Sequence, residues 1–144
     1  MIVALDPGVT TGVAVFTPTG IIMNEWRYDT APHARIYHAL DILKPKLVIS
    51  EAFHFRQDKT GAVFTGVEYI GVIKCFCQQN GVEHIEMTPG QGKGFWDNRK
   101  IKALGWWKPS APHAIDAMRI LLTHLMNTDE KWKSAVLAQL KEKL

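Results

Sequence analysis

Apolar residues fall in two rhythms along this chain. Ile2-Val3-Ala4-Leu5 is an unbroken apolar run ended by Asp6-Pro7-Gly8. It predicts a buried strand over residues 2–6 whose last side chain stands where the chain turns. Gly8 to Gly12 predicts a tight turn into a second strand, Val13 to Phe16, and Pro18-Thr19-Gly20 a turn into a third, Ile21 to Tyr28. The first three strands then form an antiparallel meander. A fourth strand, Leu47 to Ser50, ends at Glu51, and a short fifth runs from His84 to Met87.

Between these runs the spacing changes to the helical period. Pro32 opens a helix that carries Ile36, Leu40 and Leu43 inward, and Pro45 stops it. A long helix over about residues 60–79 has Val63, Val67, Ile70, Ile73 and Cys77 on one side, and Asn80-Gly81 ends it in the manner of a left-handed cap. Its Gly61, Gly66 and Gly71 recur five apart, which suits either close approach of a partner helix or an ordinary buried helix with tolerated glycines. Pro89-Gly90-Gln91-Gly92-Lys93-Gly94 predicts a mobile loop, followed by a modest helix over 97–104. Past the breaker Pro109 to Pro112, a helix runs from His113 to about Met126. A last amphipathic helix shows Trp132, Val136, Leu140 and Leu144 at spacing four, a stripe for the body or for a partner.

A chain of 144 residues, 47% hydrophobic and 22% charged, suits one soluble domain, 1–144, with a real core. The first residues enter a strand with no basic leader, and no apolar stretch is long enough to span a bilayer, so a cytoplasmic protein with no membrane contact is expected. Cys75 and Cys77, two apart on a helix, point to different faces and are expected to be reduced core thiols.

The candidate chemistry is carried by four residues. Asp6 and Glu51 each end a buried strand, and His113 and Asp116, three apart at a helix start, share one face. Taken singly each is a common turn, surface or capping residue. Two strand-end acids with a helical His-x-x-Asp in one short domain instead suit divalent cations, because carboxylate oxygens match hard ions. Mg²⁺ or Mn²⁺ is expected, two ions per site.

The formal charge of +3 hides an uneven surface. With Asp6, Glu51 and Asp116 neutralised by cations, 17 basic groups face 11 acidic ones. Lys93, Arg99, Lys100, Lys102 and Lys108 lie in one stretch with Phe95, Trp96, Trp106, Trp107 and the single acid Asp97. Such a segment suits a phosphate backbone, with the tryptophans tucked into the core. Lys93, Arg99, Lys100 and Lys102 are the expected nucleic-acid contacts.

The order β-β-β-α-β-α-β-α, with acids ending strands one and four and an acid on a late helix, is the ribonuclease H-like arrangement: a mixed five-stranded sheet flanked by helices. Three motifs carry a family resemblance over about residues 1–126. Ala4-Leu5-Asp6-Pro7-Gly8-Val9-Thr10-Thr11-Gly12, Ile49-Ser50-Glu51-Ala52-Phe53 and Pro112-His113-Ala114-Ile115-Asp116-Ala117 resemble, in order, the catalytic motifs of RuvC-type Holliday junction resolvases. The resemblance implies a homodimer that nicks four-way DNA junctions in pairs. It also implies that Asp6 bridges the metals, that Glu51 and Asp116 are further ligands, and that His113 is a ligand or orients the water. In that family an aromatic just beyond the second motif contacts unpaired bases; of Phe53 and Phe55, either of which also suits the core, Phe55 is the expected stacking ring, and Phe53, Arg56 and Lys59 are further expected DNA contacts. The basic lysines do not align residue by residue with those of the family, and so compact a version suits a phage.

Two rival classes share the core. Asp6-x-Gly8-x-Thr10-x-Gly12 also resembles the phosphate hairpin of sugar kinases and actin-like ATPases, which need a second domain and lack a strand-end Glu with His-x-x-Asp. A catalytically silent DNA-binding module would not need the acidic cluster. Gly90 to Gly94 lacks the spacing and the Ser/Thr of a P-loop.

Overall fold

The two rhythms sort side chains onto two faces of one sheet. The computed structural model describes residues 1–52 and 61–144. Strands β1 (Ile2–Asp6), β2 (Thr11–Thr17), β3 (Gly20–Trp26), β4 (Leu47–Glu51) and β5 (Glu83–Met87) lie in the order β3-β2-β1-β4-β5. The β1/β2 and β2/β3 pairs are antiparallel, whereas β1/β4 and β4/β5 are parallel. The expected meander and mixed five-stranded sheet are therefore both present. Strand β2 starts two residues earlier than its apolar run, because Thr11 and Gly12 already pair with Trp26 and Glu25.

Val3, Leu5, Val13, Val15 and Val48 face helices α1 (Pro32–Leu43) and α2 (Gly61–Asn80). The opposite parity, Ala4, Ala14, Leu47 and Ile49, faces α5 (Pro112–Thr128) with α4 (Asn98–Ala103) and α6 (Glu130–Lys143) around it. The sheet side chains under α5 are small at Ala4 and Ala14, and α5 contributes Ala114 and Ala117, both fully buried. Small residues on both sides let this helix lie close to the sheet.

Several elements depart from the reading by period alone. The glycine-rich stretch 89–94 is a short helix, α3 (Pro89–Lys93), not a loop: Thr88 and Gln91 form a reciprocal capping box that outweighs the glycines' low propensity. On α2 the buried set is Tyr69, Ile70, Ile73, Phe76 and Cys77, while Val67 is exposed and the side chain of Val63 lies outside the described residues. Cys75 is also exposed, so only Cys77 is a core thiol; residues two apart on a helix face different ways. The stripe on α6 packs on the body: Val136 and Leu140 are buried in the α5-side core. Gly81 takes the left-handed conformation, with φ of 63°, that ends α2. Among the described residues, no helix is long and apolar enough to cross a membrane.

Candidate active site

The strand registers place four positions in one row at one end of the sheet. Asp6 pairs with Gly12, and Gly12 pairs with Glu25 on the next strand. Leu5 is level with Ser50 in the parallel pair, so Asp6 and Glu51 follow side by side. All four share the parity of Ala4 and Ala14, and thus face α5. Strands lie about 4.8 Å apart, so the row Glu25–Gly12–Asp6–Glu51 is a ledge three strand spacings wide.

The first turn of α5 rests on that ledge because Gly12 has no side chain. A Cβ added at Gly12 would lie 1.8 Å from the His113 carbonyl oxygen and 2.2 Å from its carbon. The helix start is capped from the same row. Ala111, its N-cap residue, has no side-chain acceptor, and Glu25 supplies one instead: its Oε1 accepts from the backbone N–H of His113 at 2.9 Å and of Ala114 at 3.4 Å. A carboxylate there also meets the positive end of the helix dipole. His113 is thereby held with Nδ1 3.6 Å from Oδ2 of Asp6.

Charge is concentrated at this point. Burial, a hydrogen bond with Glu51 and the negative charges of Glu51 and Asp116 push the Asp6 carboxyl up to about 8; the Lys93 ammonium acts the other way. The cluster carries more negative charge than its surroundings neutralise, which is what a bound cation corrects. Asp116 has other partners at present. Its Oδ1 accepts from Nη1 of Arg119 at 2.5 Å, and its Oδ2 lies 3.8 Å from Nζ of Lys93. Arg119 also donates to Asn98 Oδ1 and, through Nε, to the Trp96 carbonyl at 2.9 Å. Among the described residues, no three His, Cys, Asp or Glu side chains converge closely enough to hold an ion outright. The donor set of three carboxylates and an imidazole fits Mg²⁺ or Mn²⁺ in chemistry. An ion there would take Asp116 from Arg119 and Lys93.

The basic segment divides. Lys93 sits in the carboxylate cluster itself, and Arg99 lines an open groove of about 480 Å³ with Lys93, Trp96, Asp97, Asn98 and Arg119. Lys100 is committed locally: its Nζ donates to the Phe95 carbonyl at 2.8 Å and lies 4.4 Å from the Phe95 ring centre. Lys102 lies over the Trp107 ring at 4.7 Å. Trp96 is buried, as expected, whereas Trp106 and Trp107 are only partly buried against the core. Phe53, Phe55, Arg56 and Lys59 lie outside the described residues. Glu25 and Arg119 were not singled out from sequence, and Gly12 only as a turn and motif residue; Arg119, three residues after Asp116, had a local signal in that spacing.

No protein-family model matches the chain, and no curated protein matches it in sequence. Solved structures do match. Thermus thermophilus RuvC in complex with a Holliday junction substrate superposes with a TM-score of 0.63 at 20% identity, covering 85% of this chain and 90% of that one. The chain has the fold of the RuvC-type Holliday junction resolvases. The fowlpox virus Holliday junction resolvase matches with a TM-score of 0.59 at 15% identity over 88% of this chain and 98% of its own. A yeast mitochondrial Holliday junction resolvase matches at 0.55 and 12% identity over 98% and 80%. The RuvC-type fold is thus shared along nearly the whole length.

Proposed function

We propose that this chain is a divalent-cation-dependent endodeoxyribonuclease that resolves four-way DNA junctions by paired nicks. The observation that carries the reading is the carboxyl of Asp6, at the end of a RuvC-type sheet, hydrogen-bonded to Glu51, raised by burial and by the charges of Glu51 and Asp116, and with His113 beside it. The three carboxylates would hold Mg²⁺ or Mn²⁺, with His113 as a further ligand. Bound there, such ions lower the pKa of a water and neutralise charge on the attacking and leaving oxygens of a phosphodiester. The chain's own groups do the rest. Where it is not itself a ligand, the imidazole of His113, half-exposed beside Asp6, would orient the attacking water. Lys93 presents an ammonium to the incoming phosphate, and Arg119 holds Asp116 on the axis of α5.

The substrate side of the proposal rests on charge and shape. Lys93 and Arg99 line a groove that opens beside Asp116. Lys100 and Lys102 follow Arg99 on α4, and Phe53, Phe55, Arg56 and Lys59 are further expected DNA contacts, with Phe55 the ring that the family resemblance puts near the junction centre. A two-fold junction takes two equivalent sites, and hence a homodimer. The outer face of α2 suits that interface: Phe64 and Val67 are exposed, Cys75 is exposed, and nothing approaches within 4 Å of a Cβ at Gly71.

One experiment tests the reading. The protein is incubated with labelled four-way junction, linear duplex and ATP, with and without Mg²⁺ or Mn²⁺. Paired nicks in the junction alone, dependent on the ion, are expected, and Asp6→Asn should still bind but not cut. His113→Ala should lose most cutting, whereas His113→Asp should retain some and shift toward Mg²⁺. Junction cutting by Asp6→Asn at the wild-type rate, or ATP turnover without cutting, would overturn it.

A further inference from the structure

Arg119 joins the carboxylate cluster to the cationic groove. It stands about one helical turn after Asp116 on α5, and its side chain is 14% exposed against 26% for Asp116. Its guanidinium is engaged on three sides. Nε donates to the Trp96 carbonyl at 2.9 Å, Nη2 donates to Oδ1 of Asn98, and Nη1 donates to Oδ1 of Asp116 at 2.5 Å. The first two bonds tie α5 to the segment that enters α4, and only the third reaches the carboxylates. With Nζ of Lys93 3.8 Å from its other oxygen, Asp116 meets a cation on each side. The same guanidinium lines the groove of about 480 Å³ with Lys93 and Arg99. The one acid in that groove, Asp97, is occupied by the backbone N–H of Lys100 at 2.8 Å and by its ammonium, so the groove favours an anion.

Burial sets the energetics of this pair. Taking one partner from an ion pair that is largely out of water leaves an uncompensated charge, which is strongly unfavourable. Asp116 therefore gives up Arg119 readily only when another cation takes its oxygen, and Arg119 gives up Asp116 readily only when another anion takes its Nη1. If both exchanges happen together, every charge stays paired: Asp116 with a divalent ion, Arg119 with a phosphate. The bonds from Nε and Nη2 can persist through the exchange, so the guanidinium need not leave the rim of the groove. Two ligands that each relieve the penalty of binding the other bind cooperatively, and the factor is the same in both directions.

We propose that Arg119 is a positioning residue that acts through Asp116: in the free protein it occupies the oxygen that a cation needs, and a backbone phosphate in the groove draws it off, so that ion and DNA load together. The inference rests on the nuclease reading above and adds to it the residue that couples its two ligands. A guanidinium that only braced α5 against Trp96 and Asn98 would hold the fold and leave ion affinity unchanged or weaker on its removal. A rival for Asp116 does the opposite: without it, the ion binds more tightly and DNA no longer matters to that binding.

The experiment uses the full chain, Mn²⁺ and a linear duplex, which supplies backbone phosphates without a branch to cut. Free Mn²⁺ is followed by electron paramagnetic resonance as it is titrated into the protein with and without saturating duplex, less the ion held by duplex alone. Duplex should tighten Mn²⁺ binding by the wild type roughly fivefold or more, and Mn²⁺ should tighten duplex binding, read by fluorescence anisotropy, by the same factor. Arg119→Gln should bind Mn²⁺ more tightly than the wild type without DNA, and duplex should then add roughly twofold or less. Arg119→Lys, which keeps a cation for Asp116, should return the DNA-free Mn²⁺ affinity toward the wild-type value. If Arg119→Gln melts early, Arg119→Met, whose unbranched side chain adapts to the same space, takes its place in the comparison. A wild type that binds ion and duplex independently, or binds no duplex, would overturn the exchange, as would a folded Arg119→Gln that binds Mn²⁺ no better than the wild type. Ion-dependent paired nicking of a junction by the wild type would in those cases leave the nuclease reading intact, and its absence would remove both.

Discussion

Replacing Gly12 with alanine adds a single methyl group and should disable the site without touching a charged residue. The new Cβ would sit 1.8 Å from the His113 carbonyl oxygen and 2.2 Å from its carbon, whereas non-bonded heavy atoms settle about 3.5 Å apart. Neither atom is the end of a flexible side chain, so the first turn of α5 must retreat by roughly 1.5 Å. That stretches the Glu25 bond to the His113 N–H, now 2.9 Å, past hydrogen-bonding range and draws His113 and Asp116 away from Asp6. Overpacking costs about 1–3 kcal/mol and loss of a cap about 1 kcal/mol more. A displacement near 1 Å in a catalytic constellation costs on the order of 10²-fold in rate. Single-turnover junction cleavage and thermal unfolding should both fall for Gly12→Ala. Gly90→Ala, where a Cβ meets nothing within 4 Å, should leave both near wild type. A Gly12→Ala protein that melts and cuts like wild type would refute the close seating of α5 on β2.

Glu25→Ala should destabilise the protein by about 1 kcal/mol, the usual worth of an N-cap, and Glu25→Gln should recover most of it, because an amide oxygen can still accept from His113 and Ala114; chemical denaturation of both variants decides this. In chelator, the protein should lose stability between about pH 4 and pH 8. The folded Asp6 binds its proton more tightly than the unfolded chain, so that contribution is full below the ordinary value of 3.8 and is lost as pH rises through about 8. The slope is at most about 1.4 kcal/mol per pH unit, and Asp6→Asn should flatten it. Burial pulls His84 and His124 down from the ordinary 6.5, so protonation of the unfolded chain should cost stability as pH falls below that value, and His84→Gln should reduce the loss in an acid titration. For DNA binding, Lys93→Ala and Arg99→Ala should each lower the slope of log K against log salt by about 0.9, whereas Lys100→Ala should change it less, since its ammonium is already held by Phe95 and Asp97. Equal slopes for all three variants would mean that the local contacts of Lys100 do not compete with phosphate.

What could be read from sequence was what local rules control. Asp6 and Glu51 are legible because an apolar run fixes where a strand stops, and His113 with Asp116 because three-residue spacing fixes a helix face. Their convergence needed only the order of elements. Glu25 was invisible for the opposite reason. In an alternating edge strand it looks like any outward acid, and only two successive registers, Asp6 to Gly12 and Gly12 to Glu25, bring it beneath a helix 88 residues later in the chain. Gly12 was read as a turn residue, yet its φ is not what requires glycine; the backbone of His113 does. The helix at Pro89–Lys93 is a closer case. Thr88 and Gln91 have the spacing of a capping box, and in the fold its bonds override the low helix propensity of Gly90 and Gly92.

The same contrast explains why the basic segment could be located but not ranked. Sequence counts charges; it does not show which are already engaged. Lys93 and Lys100 are equivalent in composition, yet α3 packs against α5 at Gly92 and carries Lys93 to within 3.8 Å of Asp116, while α4 folds Lys100 back onto Phe95. A cation beside the carboxylates is worth more to a phosphate ester than one on a solvated helix, because the site around Asp6 is largely buried and screening there is weak. It also sets a limit: Lys93 and Arg119 already satisfy part of the negative charge on Asp116, so any divalent ion must compete with them for that carboxylate. Removing Lys93 should therefore have two opposed effects, tighter ion binding and weaker grip on the phosphate. Titrating Mn²⁺ into Lys93→Ala and measuring junction affinity in the same protein separates them, and a variant in which both weaken together would show that Lys93 supports the site rather than competing for it.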